Sequence, residues 1–213
     1  PSGKTEMWYA LPSSDDARLY CGLKQPLTPE EYKQMVENKT ILNALAEYSV
    51  RDGDCFFIPA GRIHSICSGC QICEIQQTSD TTYRIYDYDR VDKDGNHREL
   101  HTEQAAESID YRVQDDYRVQ YTPRDNEPVN LVSCPYFTTN VLQVNQPVVR
   151  DYTGLDSFVI LICLSGEGTL TEQCDDRTDA YPFRQGELLL LPASSNAPMQ
   201  LSGTFRALEV YIE

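Results

Sequence analysis

Arg51-Asp-Gly-Asp-Cys-Phe-Phe-Ile-Pro59-Ala60 and Arg184-Gln-Gly-Glu-Leu-Leu-Leu-Leu-Pro192-Ala193 follow one pattern: a basic residue, a glycine, an acid, four apolar residues, then Pro-Ala. The physical content is a turn feeding a short strand buried on both faces. Glycine permits the turn, and proline ends the strand because it has no N–H for the ladder. Two copies 133 residues apart imply two similar β-units in one chain. The match continues downstream: Ile72-Cys-Glu74-Ile follows the first copy, and Ala207-Leu-Glu209-Val follows the second at nearly the same distance.

Other short segments rich in β-branched and aromatic residues surround the copies: Glu6–Leu11, Leu19–Leu23, Leu131–Thr139, Leu142–Val144, Phe158–Leu164 and Gly168–Thr171. Bounded by Gly, Pro or Asp, they predict an all-β protein of sandwich or barrel type, with helix confined to inserts. Thr28-Pro-Glu-Glu31 is a capping box with proline at the first helical position, opening a helix over Tyr32–Leu45. A second, weaker helix is expected over Glu99–Ile109. The expected organisation is an N-terminal barrel over 1–95, a helical or linker segment over 96–125 and a C-terminal barrel over 126–213.

Of the 213 residues, 40% are hydrophobic, enough for a sizeable core, and 18 Lys and Arg against 33 Asp and Glu give a net charge of −15. Such a field excludes duplex nucleic acid and anionic membranes as partners, since both need clustered Lys and Arg. There is no apolar run of membrane-spanning length and no leader pattern, so a soluble, cytoplasmic protein is expected. The chain opens on Pro1 rather than Met, and Gly3-Lys4-Thr5-Glu6 runs at once into Met7-Trp8-Tyr9, so missing leading residues are expected.

The eight cysteines are irregularly spaced, which fits a reducing compartment better than a disulfide scaffold. Cys67-Ser-Gly-Cys70-Gln-Ile-Cys73 has iron–sulfur-like spacing, but Gln77 stands where a fourth ligand belongs. A hairpin of Ile63–Cys67 and Cys70–Gln76 about a Ser68-Gly69 turn is expected instead. His97 and His101 lie four apart on a polar stretch that reads as a solvated helix rather than a metal pair. Asp92-Lys-Asp-Gly-Asn96 is a turn, because Arg90 and His101 occupy the end positions of the calcium loop it would need.

The doubled motif resembles the second motif of the cupin β-barrel, where a metal-binding His follows the proline by about five residues, and the resemblance implies a bicupin. In the first copy that position is His64; in the second it is Ala197. A bound metal is therefore expected in the N-terminal unit, with the C-terminal unit degenerate and structural. The plainer alternative for His64 is a hydrogen-bonded histidine at a strand end.

Gly3-Lys-Thr-Glu-Met-Trp-Tyr9, Ile58-Pro-Ala-Gly-Arg-Ile-His64 and Glu74-Ile-Gln-Gln-Thr-Ser-Asp-Thr-Thr-Tyr-Arg84-Ile-Tyr-Asp-Tyr-Asp-Arg90 together resemble the short bacterial branch of the type I mannose-6-phosphate isomerases. The likeness is strong from the start of the chain to about Ala105 and weaker beyond. It implies a zinc-dependent interconversion of mannose 6-phosphate and fructose 6-phosphate through an enediolate. It also implies Glu6 and His64 as metal ligands. The family's Gln-Val-His-Pro motif, which supplies further ligands and precedes Gly-Lys-Thr-Glu, is absent here, in agreement with a missing leading segment.

Isomerisation needs a base at carbon, an electrophile on the oxygens and a cationic seat for phosphate. The resemblance places Arg84 in the active site. Glu74 and Lys4 are both candidate proton-transfer groups, and the sequence does not choose between them: burial should raise the pKa of a Glu74 base, and neighbouring positive charge should lower that of a Lys4 base. Arg62 is expected to face the pocket mouth. Gln76 and Ser79 either line a sugar pocket or form a turn. Arg90, alternating with Tyr86, Asp87, Tyr88 and Asp89, reads as part of a cross-strand charge ladder, and Trp8 as core. Lys4, Arg62 and Arg84 would have to outweigh the long-range negative field for an anionic substrate. The competing readings are a non-catalytic sugar-binding or regulatory cupin and a purely structural bicupin.

Overall fold

The computed structural model describes residues 3–174, 177–194 and 198–213, so Ala197 lies outside the described residues. The chain divides into two compact units, Pro1–Arg118 and Val119–Glu213.

The first unit holds two three-stranded antiparallel sheets. One has the order β4 (Cys55–Ile58), β1 (Glu6–Ala10), β6 (Ile72–Gln76); the other β3 (Leu45–Ser49), β2 (Arg18–Leu23), β5 (His64–Ile66). Alternation on β1 sends Trp8 and Ala10 to one face, where they meet Phe56 and Ile58 from their own sheet and Leu19 and Cys21 from the other. That shared cluster makes the unit a sandwich. Two short helices, α1 (Pro29–Glu37) and α2 (Thr102–Ser108), close over a satellite core of Tyr32, Val36, Ile41, Ala44, Ala105 and Ala106.

Several expectations change. The capping box at Thr28 forms, but α1 stops at Glu37 because Lys39 takes φ +56°, and Ile41–Ala44 is a separate turn of 3₁₀ helix leading into β3. The second helix is trimmed to α2. The turn at Ser68-Gly69 is present, yet its arms do not pair with each other: β5 pairs with β2 and β6 with β1. A two-residue turn fixes a reversal, not a partner. Residues 78–90 carry no strand, so Arg90 belongs to no ladder; its guanidinium stacks over the Tyr88 ring. The stretch 96–125, expected as one linker, falls largely within the first unit, since α2 packs on α1 and Tyr117 joins the sandwich core.

The second unit is a seven-stranded antiparallel sheet. Its strands are β7 (Pro128–Cys134), β8 (Phe137–Val144), β9 (Val148–Arg150), β10 (Val159–Cys174), β11 (Arg177–Arg184), β12 (Leu188–Leu191) and β13 (Met199–Tyr211). The order is β11-β10-β13-β8-β7, with β12 on β10 and β9 on β13. Leu131–Thr139, expected as one strand, is split between β7 and β8 by a turn at Pro135-Tyr136, where proline cannot continue the ladder. Phe158–Leu164 and Gly168–Thr171 instead fuse into β10, with a bulge between Cys163 and Ser165.

The doubled motif is a doubled structure. In each copy the acid closes the same turn: Asp54 Oδ2 accepts from Arg51 N at 3.0 Å and Glu187 Oε2 from Arg184 N at 3.0 Å, with Gly53 at φ +88° and Gly186 at φ +84°. The register repeats as well. Trp8 lies between Phe56 and Glu74 across β4-β1-β6, as Leu161 lies between Leu189 and Glu209 across β12-β10-β13. One step along, Glu6 pairs with Ile58 and Gln76, and its counterpart Val159 pairs with Leu191 and Tyr211. The carboxylate of Glu6 thus has an aliphatic counterpart in the second unit.

Glu209, the counterpart of Glu74, is fully buried and saturated with donors. Arg150 meets it with Nε at 2.8 Å and a second guanidinium nitrogen at 3.0 Å, Tyr152 donates at 2.6 Å and Asn140 at 2.8 Å.

Candidate active site

Strand β1 delivers Glu6 to the inner face of the sandwich, beside Trp8, with only 1% of its surface exposed. Lys4, two residues earlier, donates from Nζ to Glu6 Oε2 at 3.3 Å and to Glu74 Oε1 at 3.0 Å. The other Glu74 oxygen accepts from Trp8 Nε1 at 3.2 Å. His64 Nε2, at the start of β5, is 3.2 Å from Glu6 Oε1. Residues from sequence positions 4, 6, 64 and 74 therefore form one connected cluster.

The turn before His64 is shaped by Gly61, at φ +91°, where an added Cβ would stand 2.4 Å from the Ser108 carbonyl. This close approach lets α2 form one wall of a cavity of about 400 Å³, lined by Lys4, Glu6, Arg62 and His64 on one side and by Thr81, Thr82, Tyr83 and Ser108 on another. Arg62 lines the cavity; it also donates to the Phe57 carbonyl at 2.7 Å and lies over the Tyr117 ring. Arg84 is not among the lining residues. Its guanidinium donates to the Glu99 carbonyl at 3.1 Å, and its backbone N–H donates to His101 Nδ1. Gln76 sits opposite Glu6 on the ladder, and Ser79 accepts from Thr81 N at 3.3 Å, holding the loop that carries the threonines. Thr81, Thr82 and Ser108 had no signal in the sequence, because they come from irregular chain and a helix end.

Two charges define the electrostatics. Burial works against the Glu6 carboxylate, but the hydrogen bond and charge of His64, the bond shared with Glu74 and the Lys4 ammonium together bring its pKa down to about 2. Burial likewise works against the Lys4 ammonium, yet the hydrogen bond to Glu74 and the charge of Glu6 outweigh it and raise its pKa. The positive neighbours that a Lys4 base requires are not there; two carboxylates are. Lys4 is held as a cation.

The tautomer of His64 shows how the donor set suits a metal. Its Nδ1 donates to the Arg62 carbonyl at 2.8 Å, so in the neutral ring Nε2 turns a lone pair on the Glu6 carboxylate. Two acceptors so placed repel unless a proton or a metal cation lies between them. An imidazole oriented by a backbone carbonyl and facing a carboxylate is the arrangement zinc ligands use. Glu6 and His64 thus fit as two ligands; among the described residues no group of three or more His, Cys, Asp or Glu is assembled.

Folding stability of the metal-free protein should follow the Glu6 titration. The folded pKa of about 2 lies below the ordinary 4.5, so this contribution is complete above pH 4.5 and is lost as pH falls toward 2. Urea midpoints in chelator at pH 5 and pH 3 should drop less for Glu6→Gln than for the wild type; equal drops would refute the assignment.

The family "Mannose-6-phosphate isomerase, cupin domain" matches residues 128–212. Mannose-6-phosphate isomerase of Streptococcus mutans is 33% identical over 191 residues, covering 89% of this chain and 58% of the relative. Mannose-6-phosphate isomerase ManA of Bacillus subtilis is 33% identical over 192 residues, covering 89% and 59%. Over about nine tenths of its length the chain is similar to mannose-6-phosphate isomerases. It spans about three fifths of the length of the curated relatives it matches. The crystal structure of the mannose 6-phosphate isomerase from Bacillus subtilis superposes with a TM-score of 0.85 at 28% identity, over 99% of this chain and 65% of that one. A zinc-bound mannose 6-phosphate isomerase shares the fold, with a TM-score of 0.73 at 14% identity over 99% of this chain and 66% of that one. No helix among the described residues is long and apolar enough to cross a membrane, and the described cysteines are free thiols.

Proposed function

We propose that the protein is a zinc-dependent isomerase that interconverts mannose 6-phosphate and fructose 6-phosphate in the cytoplasm, with its active site in the first of two cupin-type barrels. The observation that carries this reading is the Lys4–Glu6–His64–Glu74 cluster at the cavity, in a chain a third identical to proteins named for that reaction. The repeated turn and register, with Val159 at the place of Glu6, support a second barrel without metal ligands.

Glu6 and His64 would hold the metal, with water or further donors completing its shell. When bound it supplies an electrophile for the sugar carbonyl. Glu74 is not itself a lining residue, but Lys4 joins it to Glu6, which is, and it is the base that moves the proton between C1 and C2. Lys4 stays protonated and donates to a sugar oxygen as negative charge develops there. Arg62 provides cationic charge for the phosphate, and the hydroxyls of Thr81, Thr82 and Ser108 orient the hexose. Gln76 contacts the sugar from beside Glu6. Ser79 shapes the threonine loop. Arg84 serves the enediolate by leaving the Glu99 carbonyl once substrate enters.

The two-ligand count favours one competing reading, a sugar-binding or regulatory cupin without chemistry. Coupled assays of the complete protein in both directions, after chelation and after zinc is restored, separate the two. Loss and recovery of turnover support the isomerase; a zinc-loaded protein that binds hexose phosphate without converting it establishes the binding module.

A further inference from the structure

We infer that Trp8 is a positioning residue of this site: its indole N–H fixes the Glu74 carboxylate while its ring sets the plane of His64. The inference rests on the isomerase reading above. Trp8 is 2% exposed and stands opposite Glu74 on the β1–β6 ladder. Its Nε1–H donates to Glu74 Oε2 at 3.2 Å, while Lys4 holds Oε1 at 3.0 Å, so both oxygens are committed and the carboxylate cannot rotate freely. The Trp8 and His64 rings meet edge to face, with centroids 5.1 Å apart and planes at 84°. Together with the Nδ1–H bond to the Arg62 carbonyl, that contact orients the imidazole that faces Glu6. One buried side chain thus touches both the proposed base and a proposed metal ligand.

Core packing alone does not call for an indole here. At the matching ladder position of the second unit, Leu161 fills the core opposite Glu209 and offers no donor; Glu209 is anchored by Arg150, Tyr152 and Asn140 instead. In the first unit Lys4 and Trp8 take the place of those donors on Glu74, and the indole N–H takes the second oxygen. A buried Trp N–H finds an acceptor as a rule; here the acceptor is the catalytic carboxylate.

The test pairs a spectroscopic signature with kinetics. In ¹⁵N-labelled protein the indole cross-peak of Trp8 is the one that Trp8→Phe removes. Glu74→Gln, which keeps Trp8 and its ladder contacts, should shift that peak upfield as the charged acceptor is lost. In the complete zinc-loaded protein, Trp8→Phe should lower kcat about tenfold with KM within about twofold, because misplacing a group by a fraction of an ångström weakens the chemical step more than binding. An indole peak unmoved by Glu74→Gln, or wild-type kcat in Trp8→Phe, overturns the inference. Failure of the isomerase reading shows separately, as a wild-type protein that converts neither sugar phosphate while the Glu74→Gln shift persists.

Discussion

Glu6→Gln is expected to reduce isomerisation by about a hundredfold or more and to lose zinc, while the fold remains. The amide is nearly isosteric with the carboxylate, and Glu6 sits in a closed ladder between Ile58 and Gln76 that depends on its backbone alone. In the metal-free protein above pH 4.5 the substitution gives up the carboxylate's contribution to stability but leaves a polar partner in its place. The amide N–H can donate to His64 Nε2, which removes the confrontation of two acceptors at 3.2 Å, and Lys4 keeps its bond to Glu74. With zinc the balance reverses, because a neutral amide is a far weaker ligand than a carboxylate and half of the protein donor pair is gone. Equilibrium dialysis against zinc, beside the coupled assay, checks both limbs. Zinc affinity equal to that of the wild type would remove Glu6 from the ligand set.

Arg150→Met should destabilise the second unit by about 3–5 kcal/mol, since it strands the buried Glu209 carboxylate without its cation. For a unit of this size that corresponds to a fall in Tm of roughly 15–25 °C. Tyr152 at 2.6 Å and Asn140 at 2.8 Å remain, but neutral donors do not neutralise a fully buried charge. Arg150→Lys should fall between the two, since an ammonium cannot reproduce the two-pronged contact at 2.8 and 3.0 Å. Arg150→Met combined with Glu209→Met should recover most of the loss, because no charge is then buried. Thermal unfolding followed by circular dichroism reads all three; a single Arg150→Met with an unchanged Tm would show the pair to be dispensable.

The fold was legible where turn chemistry repeats. Gly53 with Asp54 and Gly186 with Glu187 announced two units, and the structure builds the same turn from each pair. Glu6, His64, Lys4 and Glu74 were legible as motif residues and do converge. What the sequence hid depends on pairing. Ser68-Gly69 marks a reversal, but nothing local says that β5 and β6 go to different sheets, and Lys39 ended α1 through a backbone angle that its side chain does not advertise. Arg84 had motif support, yet its guanidinium rests on a main-chain carbonyl that no motif encodes. Trp8 reads as core. A sharper signal was present: it lies two residues after Glu6, hence on the same strand face, and its indole carries a donor.

The placement of β13 bears on how the chain is made. It is the last strand in the sequence, yet it runs through the middle of the second sheet, where it pairs with β8, β9 and β10. During synthesis the described strands of the first unit leave the ribosome long before β13, and that unit can begin to fold while translation continues. The second cannot: until Met199–Tyr211 has left the ribosome, β8 and β10 expose open edges and an uncovered apolar face. A chain cut short before β13 would present the open edges of β8 and β10, which are templates for pairing with other chains.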